Sequence, residues 1–268
     1  MFHRLRNLRT FKVWFLALSL AIPASLSAAK TANNKVPSDQ AQAEKWIADS
    51  MHRMYPIDRL DSQYLMYSSS DRQYHFGIAL ARVSSIQSAI IRDGYYTAQW
   101  QDYAHDGWEY MNFMTKGRSE EFAAALQFLA ANAREEVQAQ QEASFRQFLP
   151  QAKAWREAAA KPAMPEAAHE HQVLAEYAFK QKDTDKAINE YTAALEVDPC
   201  WPEGQFNLAT LAGEKKLFAV AVFHMKEYLE LVPESPDAQA AKDSIIIWKD
   251  KLQNLTVAAN NGSDGRPK

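Results

Sequence analysis

Cysteine is all but absent from this chain, with Cys200 the single one. No intramolecular disulfide can form, and no metal site can be built from thiolates. Glycine is scarce as well, eight in 268 residues, which argues against a turn-dense all-β architecture and for a large helical share. Motifs that announce chemistry are missing: there is no His-Glu-x-x-His, no Gly-x-Ser-x-Gly and no phosphate-cradling glycine loop. Positive charge is not in excess either. Thirty Lys and Arg stand against 33 Asp and Glu, a net −3, and that balance does not favour nucleic acid or an anionic membrane surface. What is present is core-forming material, 47% hydrophobic and 12% aromatic residues, in a length that suits about two domains.

The first residues differ from the rest. His3, Arg4, Arg6, Arg9 and Lys12 precede an almost wholly apolar run from Val13 to Leu26, and Ser27, Ala28 and Ala29 follow. A basic start, a short apolar stretch and small residues make the layout of a cleavable signal peptide, here residues 1–29 with the cut after Ala29. Pro23 favours cleavage over an uncleaved anchor, because it breaks the helix ahead of the small residues. The expected location is periplasmic or secreted. Four of the 30 basic side chains lie in that segment, leaving 26 against 33 acidic ones, or −7. Membrane association is not indicated after cleavage.

Residues 30–37 form a polar, flexible leader, and an α+β module spans 38–134. Ser38 is placed to cap a helix whose apolar face carries Trp46, Ile47, Met51 and Met54. Tyr74, Phe76, Ile78 and Leu80 then alternate with smaller residues, the period of a strand. Ile86, Ser88 and Ile90 give a second alternation, Asp93-Gly94 is a hairpin signal, Tyr95–Trp100 follows it, and Trp108–Thr115 is a further strand candidate, with 63–68 another. Ser119 caps a closing amphipathic helix with Phe122, Leu126, Leu129 and Ala133 on one face. Strands closed by one helix give 62–133 an element order that resembles a pleckstrin-homology or GRAM-like module. Residues 135–165 read as a helical linker, broken at Pro150.

From Ala168 onward the sequence repeats every 34 residues. Leu174 and Leu208, Ala175 and Ala209, Ala187 and Ala221, Leu195 and Leu229, and Pro199 and Pro233 are such pairs. Small residues at Ala175 and Ala187 let two helices approach, while Leu174, Tyr191 and Leu195 are sized to fill the space between units. The pattern resembles the tetratricopeptide repeat (TPR) family, with Met225 and Tyr228 standing where that family has an aromatic and a small residue. The expected fold class is therefore α+β: the N-terminal module followed by a C-terminal α-solenoid of two helical hairpins and a capping helix over 166–253. The helices of 119–161 are expected to close its other end, and 254–268 to be a disordered tail.

The TPR resemblance implies a protein or peptide partner held on the concave face. That face would carry Gln172, Glu176, Phe179 and Lys180 from the first unit and Phe206, Asn207 and Thr210 from the second, with the two aromatics as anchors. Asn207 fits a position that clamps a ligand carboxylate in some relatives, but Gln172 and Glu176 replace the partners of that clamp, and Glu176 would repel a carboxylate. An exported adaptor or scaffold, or a component of an envelope assembly, is the function expected, with no catalytic residue, metal or cofactor. The alternative is a hydrolase or metal-dependent enzyme in 62–115, drawing on Asp102, His105 and Asp106.

Overall fold

The computed structural model describes residues 36–51, 54–102, 104 and 107–261, the side chains of 255–261 excepted. The signal-peptide layout and most of the leader lie outside those residues. The chain is α+β and mostly helical: two three-stranded antiparallel sheets and seven α-helices among the described residues.

Helix α1 spans Gln40–Met51. Its start is held by Asp39, whose Oδ1 accepts from Gln42 N at 2.8 Å, so the cap lies one residue beyond Ser38. The first sheet contains β1 (Ile57–Leu60), β2 (Tyr64–Ser68) and β3 (His75–Ala79) in that order. The second contains β4 (Val83–Arg92), β5 (Tyr95–Asp102) and β6 (Glu109–Phe113). Asp93 and Gly94 join β4 to β5 with φ of 50° and 82°, the two left-handed residues that a tight hairpin requires.

Helix α2, Lys116–Glu157, runs through both halves of the described chain. It starts before Ser119: Thr115 is the cap, accepting from Arg118 N at 3.3 Å. Ser119 is buried, and its Oγ accepts from Ala89 N at 2.9 Å. Ala89 sits at φ 57° where the β4–β5 register slips, so its N–H has left the ladder and the helix supplies the acceptor. The expected break at Pro150 does not occur. A proline inside a helix costs about 3 kcal/mol. Burial of Phe148 and Ala152 against Leu231 opposes that cost on both sides of it.

The first half of α2 covers the second sheet. Phe122 meets Trp100 at 5.8 Å and Phe113 at 5.2 Å between ring centroids, in a core completed by Ile47, Met51, Leu65 and Leu80. Beyond Pro165 the chain is helical throughout: α3 (Glu166–Lys180), α4 (Thr184–Val197), α5 (Pro202–Glu214), α6 (Phe218–Leu231) and α7 (Ala238–Asn261). Each packs on its successor. Helix α7 continues past Gln253, so part of the expected disordered tail is helical. The α3–α4 and α5–α6 turns are alike, with Lys182 and Lys216, 34 residues apart, at φ 60° and 61°. Ala175, Ala187, Ala209 and Ala221 are all fully buried, as close helix approach requires.

The second half of α2 packs on α6. Arg156 donates to the carbonyl of Glu230 and faces its carboxylate at 3.5 Å. The helix therefore does not close the α3 end, contrary to the sequence expectation, because its apolar residues Phe148 and Ala152 find Leu231 instead.

Candidate functional site

Of the residues expected to line a groove, only part stays open. Phe179 is 57% exposed on α3. Phe206 is half-buried and sets its ring edge-on to Tyr228 at 5.1 Å. In the first unit the positions matching Phe206 and Tyr228 hold Gln172 and Ala194. The large residue at 228 gives Phe206 a partner that a small one would not, so Phe206 is less open than Phe179.

Asn207 donates from Nδ2 to the Tyr191 hydroxyl at 3.2 Å, joining α5 to α4. Burial raises the Tyr191 pKa; the bond from Asn207 opposes this, and the carboxylate of Glu176 adds to the rise. Glu176, Tyr191 and Asn207 thus form one polar cluster across three helices. Gln172 donates to Glu176 at 3.0 Å, and Thr210 spends its hydroxyl on the Phe206 carbonyl at 2.9 Å within its own helix. Lys180 is exposed.

The larger opening was not read from the sequence. On α3, Val173 is 51% exposed, Leu174 41% and Tyr177 58%. They lie at i, i+1 and i+4, one side of a helix. Their counterparts 34 residues on are Asn207, Leu208 and Leu211; Leu208 is 0% and Leu211 4% exposed. In α5 that face packs on α4. In α3 the same face has no preceding hairpin, so Leu174 does not fill a space between units as its size suggested. The signal was available: the repeat begins at Ala168, and whatever side of its first helix would meet an earlier unit has none to meet.

The alternative site divides. His105 and Asp106 lie outside the described residues. Asp102 pairs with Arg82 at 2.6 Å and accepts from Ala104 N at 2.9 Å, both structural uses. A Ser/His/Asp grouping not foreseen from sequence stands on the first sheet. His75 Nδ1 lies 2.9 Å from Ser68 Oγ and 3.2 Å from Asp58 Oδ2, and Ser68 donates to Asp58 as well. That is not a nucleophile relay, which needs the imidazole between hydroxyl and carboxylate on separate nitrogens. Ser68 is fully buried and its proton is already committed to Asp58. The hydroxyl, then His75, hold the Asp58 carboxyl below its ordinary range.

Comparison with protein-family models gave no match, and comparison with curated protein sequences gave none. Among the described residues no group of three or more His, Cys, Asp or Glu is placed to hold a metal ion. No helix among them is long and apolar enough to cross a membrane. The Cys200 thiol is pushed up by burial, then by Asp198 and Glu227, which lowers its thiolate fraction and its nucleophilicity at neutral pH.

Proposed function

We infer that this protein is an exported adaptor of the tetratricopeptide type that holds a polypeptide partner, and that its principal contact is the outer side of α3. One observation carries the reading. Val173, Leu174 and Tyr177 are exposed together on a surface whose counterpart in α5 is packed. A contiguous apolar patch on a soluble protein marks an interaction site. The occupant that fits is an amphipathic helix, the kind of element that α4 presents to α5. Phe179, around the helix from that stripe, can add a contact on the inner face. Export rests on the basic, apolar and small-residue order of 1–29, and a place in an envelope assembly accords with it.

The test is site-specific photocrosslinking in the native compartment, with the reactive residue at position 177 and a control at position 246, which is exposed on α7. A discrete polypeptide adduct from 177, lost in Leu174→Glu, supports the reading. An adduct of twice the chain mass would make the partner a second copy. No adduct from 177, or the same adducts from 246, would remove α3 as the docking surface.

A further inference from the structure

A cavity of about 550 Å³ lies where α2, α6 and α7 meet, on elements that do not include α3. Its size falls within the range of small-ligand pockets, roughly 300–1,000 Å³. Its walls divide by chemistry. Val137 and Phe145 of α2, Val222 and Phe223 of α6 and Leu252 of α7 supply an apolar body. Around them stand Arg134, Arg146, Lys226 and Lys249, with Glu142 the one carboxylate among the described lining residues. The chain as a whole is acidic, at −3, so this is a local concentration of positive charge and not a sample of the average surface.

Two of the cations are positioned by their surroundings. Arg134 donates from Nη1 to the Val83 carbonyl at 2.7 Å, which fixes its guanidinium beside the second sheet. Lys226 lies 5.6 Å from the centre of the Phe145 ring, so charge and apolar wall are adjacent. Arg146 and Lys249 are exposed and stand at the rim.

We propose that this cavity binds a single-chain amphiphilic anion, a long-chain carboxylate, with its tail against Val137, Phe145, Val222 and Phe223 and its head among the four cations. Burial of the tail stabilises the complex in proportion to the apolar surface it removes from water, and the head gains charge-assisted hydrogen bonds from guanidinium or ammonium donors. Segments of this chain are poor occupants. The apolar run near the N-terminus is preceded by Arg4, Arg6, Arg9 and Lys12, which the cationic rim would repel, and residues 262–268, Gly-Ser-Asp-Gly-Arg-Pro-Lys, have no large apolar side chain to fill the walls.

The experiment is calorimetric titration of the full chain with dodecanoate, dodecanol and dodecyltrimethylammonium, each below its micelle concentration. One dodecanoate per chain is expected to bind at least about tenfold more tightly than dodecanol, a difference of about 1.4 kcal/mol, and the cationic probe is expected not to bind. The double variant Arg146→Gln/Lys249→Gln alters exposed side chains only, and should weaken dodecanoate about tenfold while leaving dodecanol unchanged. Val222→Trp, which fills the cavity, should remove both. Equal binding of dodecanoate and dodecanol, dodecanoate affinity unchanged in the double variant, or no uptake of dodecanoate would each overturn the proposal. Uptake that survives Val222→Trp counts against the cavity. Should Val222→Trp not fold, the double variant decides alone.

Discussion

His171 Nδ1 lies 2.8 Å from Glu190 Oε2, bridging α3 to α4, and 34 residues later Gln205 Oε1 and His224 Nδ1 make the same bridge at 2.7 Å between α5 and α6. The imidazole has changed sides while the connection is kept. Each hairpin is thus tied by one polar contact across its two helices, at positions set by the repeat.

The second bridge is the more buried, and its loss should cost more. Gln205 and Glu227 are both buried, and His224 Nδ1 also faces Glu227 at 3.4 Å. His224→Leu keeps the volume roughly and removes the partner of both. Leaving a buried polar group unsatisfied costs about 1–3 kcal/mol, and chemical denaturation should show a loss of that order. His171→Leu, in a half-exposed pair, should cost under about 1 kcal/mol. Equal losses would mean that burial does not set the value of the bridge.

How far the sequence could be read follows from the same distinction between local pattern and tertiary contact. Alternation exposed β3, the Asp93-Gly94 turn signal exposed the β4–β5 hairpin, and the alternation of Ile86, Ser88 and Ile90 runs across the bulge at Ala89, so Ile86 and Ile90 fall on opposite faces. The 34-residue period exposed the helical hairpins because their small residues must recur where helices touch. Strand β1 escaped notice: Asp58 and Arg59 face outward together and the strand has no period of two. Ser119 imitated a cap and Pro150 a stop, and neither could be discounted without knowing that Ala89 needs an acceptor and that Leu231 covers Phe148 and Ala152. Phe206 looked like an open anchor because its partner Tyr228 lies on another helix, at a position the first unit fills with Ala194.

The strand-to-helix link through Ser119 gives a paired test. Ser119→Ala leaves the part-buried N–H of Ala89 without its acceptor and should destabilise by about 1 kcal/mol. Ala89→Gly relieves a left-handed residue that costs about 1–2 kcal/mol with a Cβ, and should stabilise, less the extra entropy glycine loses on folding. Melting temperatures moving in opposite directions would support this reading. A stabilising Ser119→Ala would contradict it.

Helix α7 is seated through Trp248 and Gly213. A Cβ on Gly213 would stand 2.6 Å from Cε2 and Cζ2 of the indole, closer than any real contact, so the ring rests on bare helix backbone. Gly213→Ala should overpack the joint at about 1–3 kcal/mol, offset by up to about 1 kcal/mol of helix propensity. In a Trp248→Phe background the smaller ring makes room and most of the penalty should vanish. A double-mutant cycle on thermal stability reads the coupling, and additive effects would show that the two residues do not meet as described.

Three tyrosines are placed to destabilise the fold at alkaline pH. Burial raises the pKa of Tyr55, Tyr67 and Tyr191 above the ordinary 10.0, and Tyr67 is raised most. Tyr67 is packed flat on Phe76 at 5.1 Å and edge-on to Tyr55 at 6.0 Å, where a phenolate would be poorly solvated. Because the folded pKa exceeds the unfolded one, the contribution to stability is complete below pH 10 and falls as the pH climbs from there toward the folded value. Above pH 10 the unfolded chain ionises first, and Tyr67 alone should lower stability by up to about 1.4 kcal/mol per pH unit. Tyr67→Phe keeps the ring contacts and removes the proton, so denaturation curves between neutral and alkaline pH should coincide with the parent at the lower end and decline less steeply at the upper. If the variant declines as steeply as the parent, the alkaline limit lies with other groups and Tyr67 does not control it.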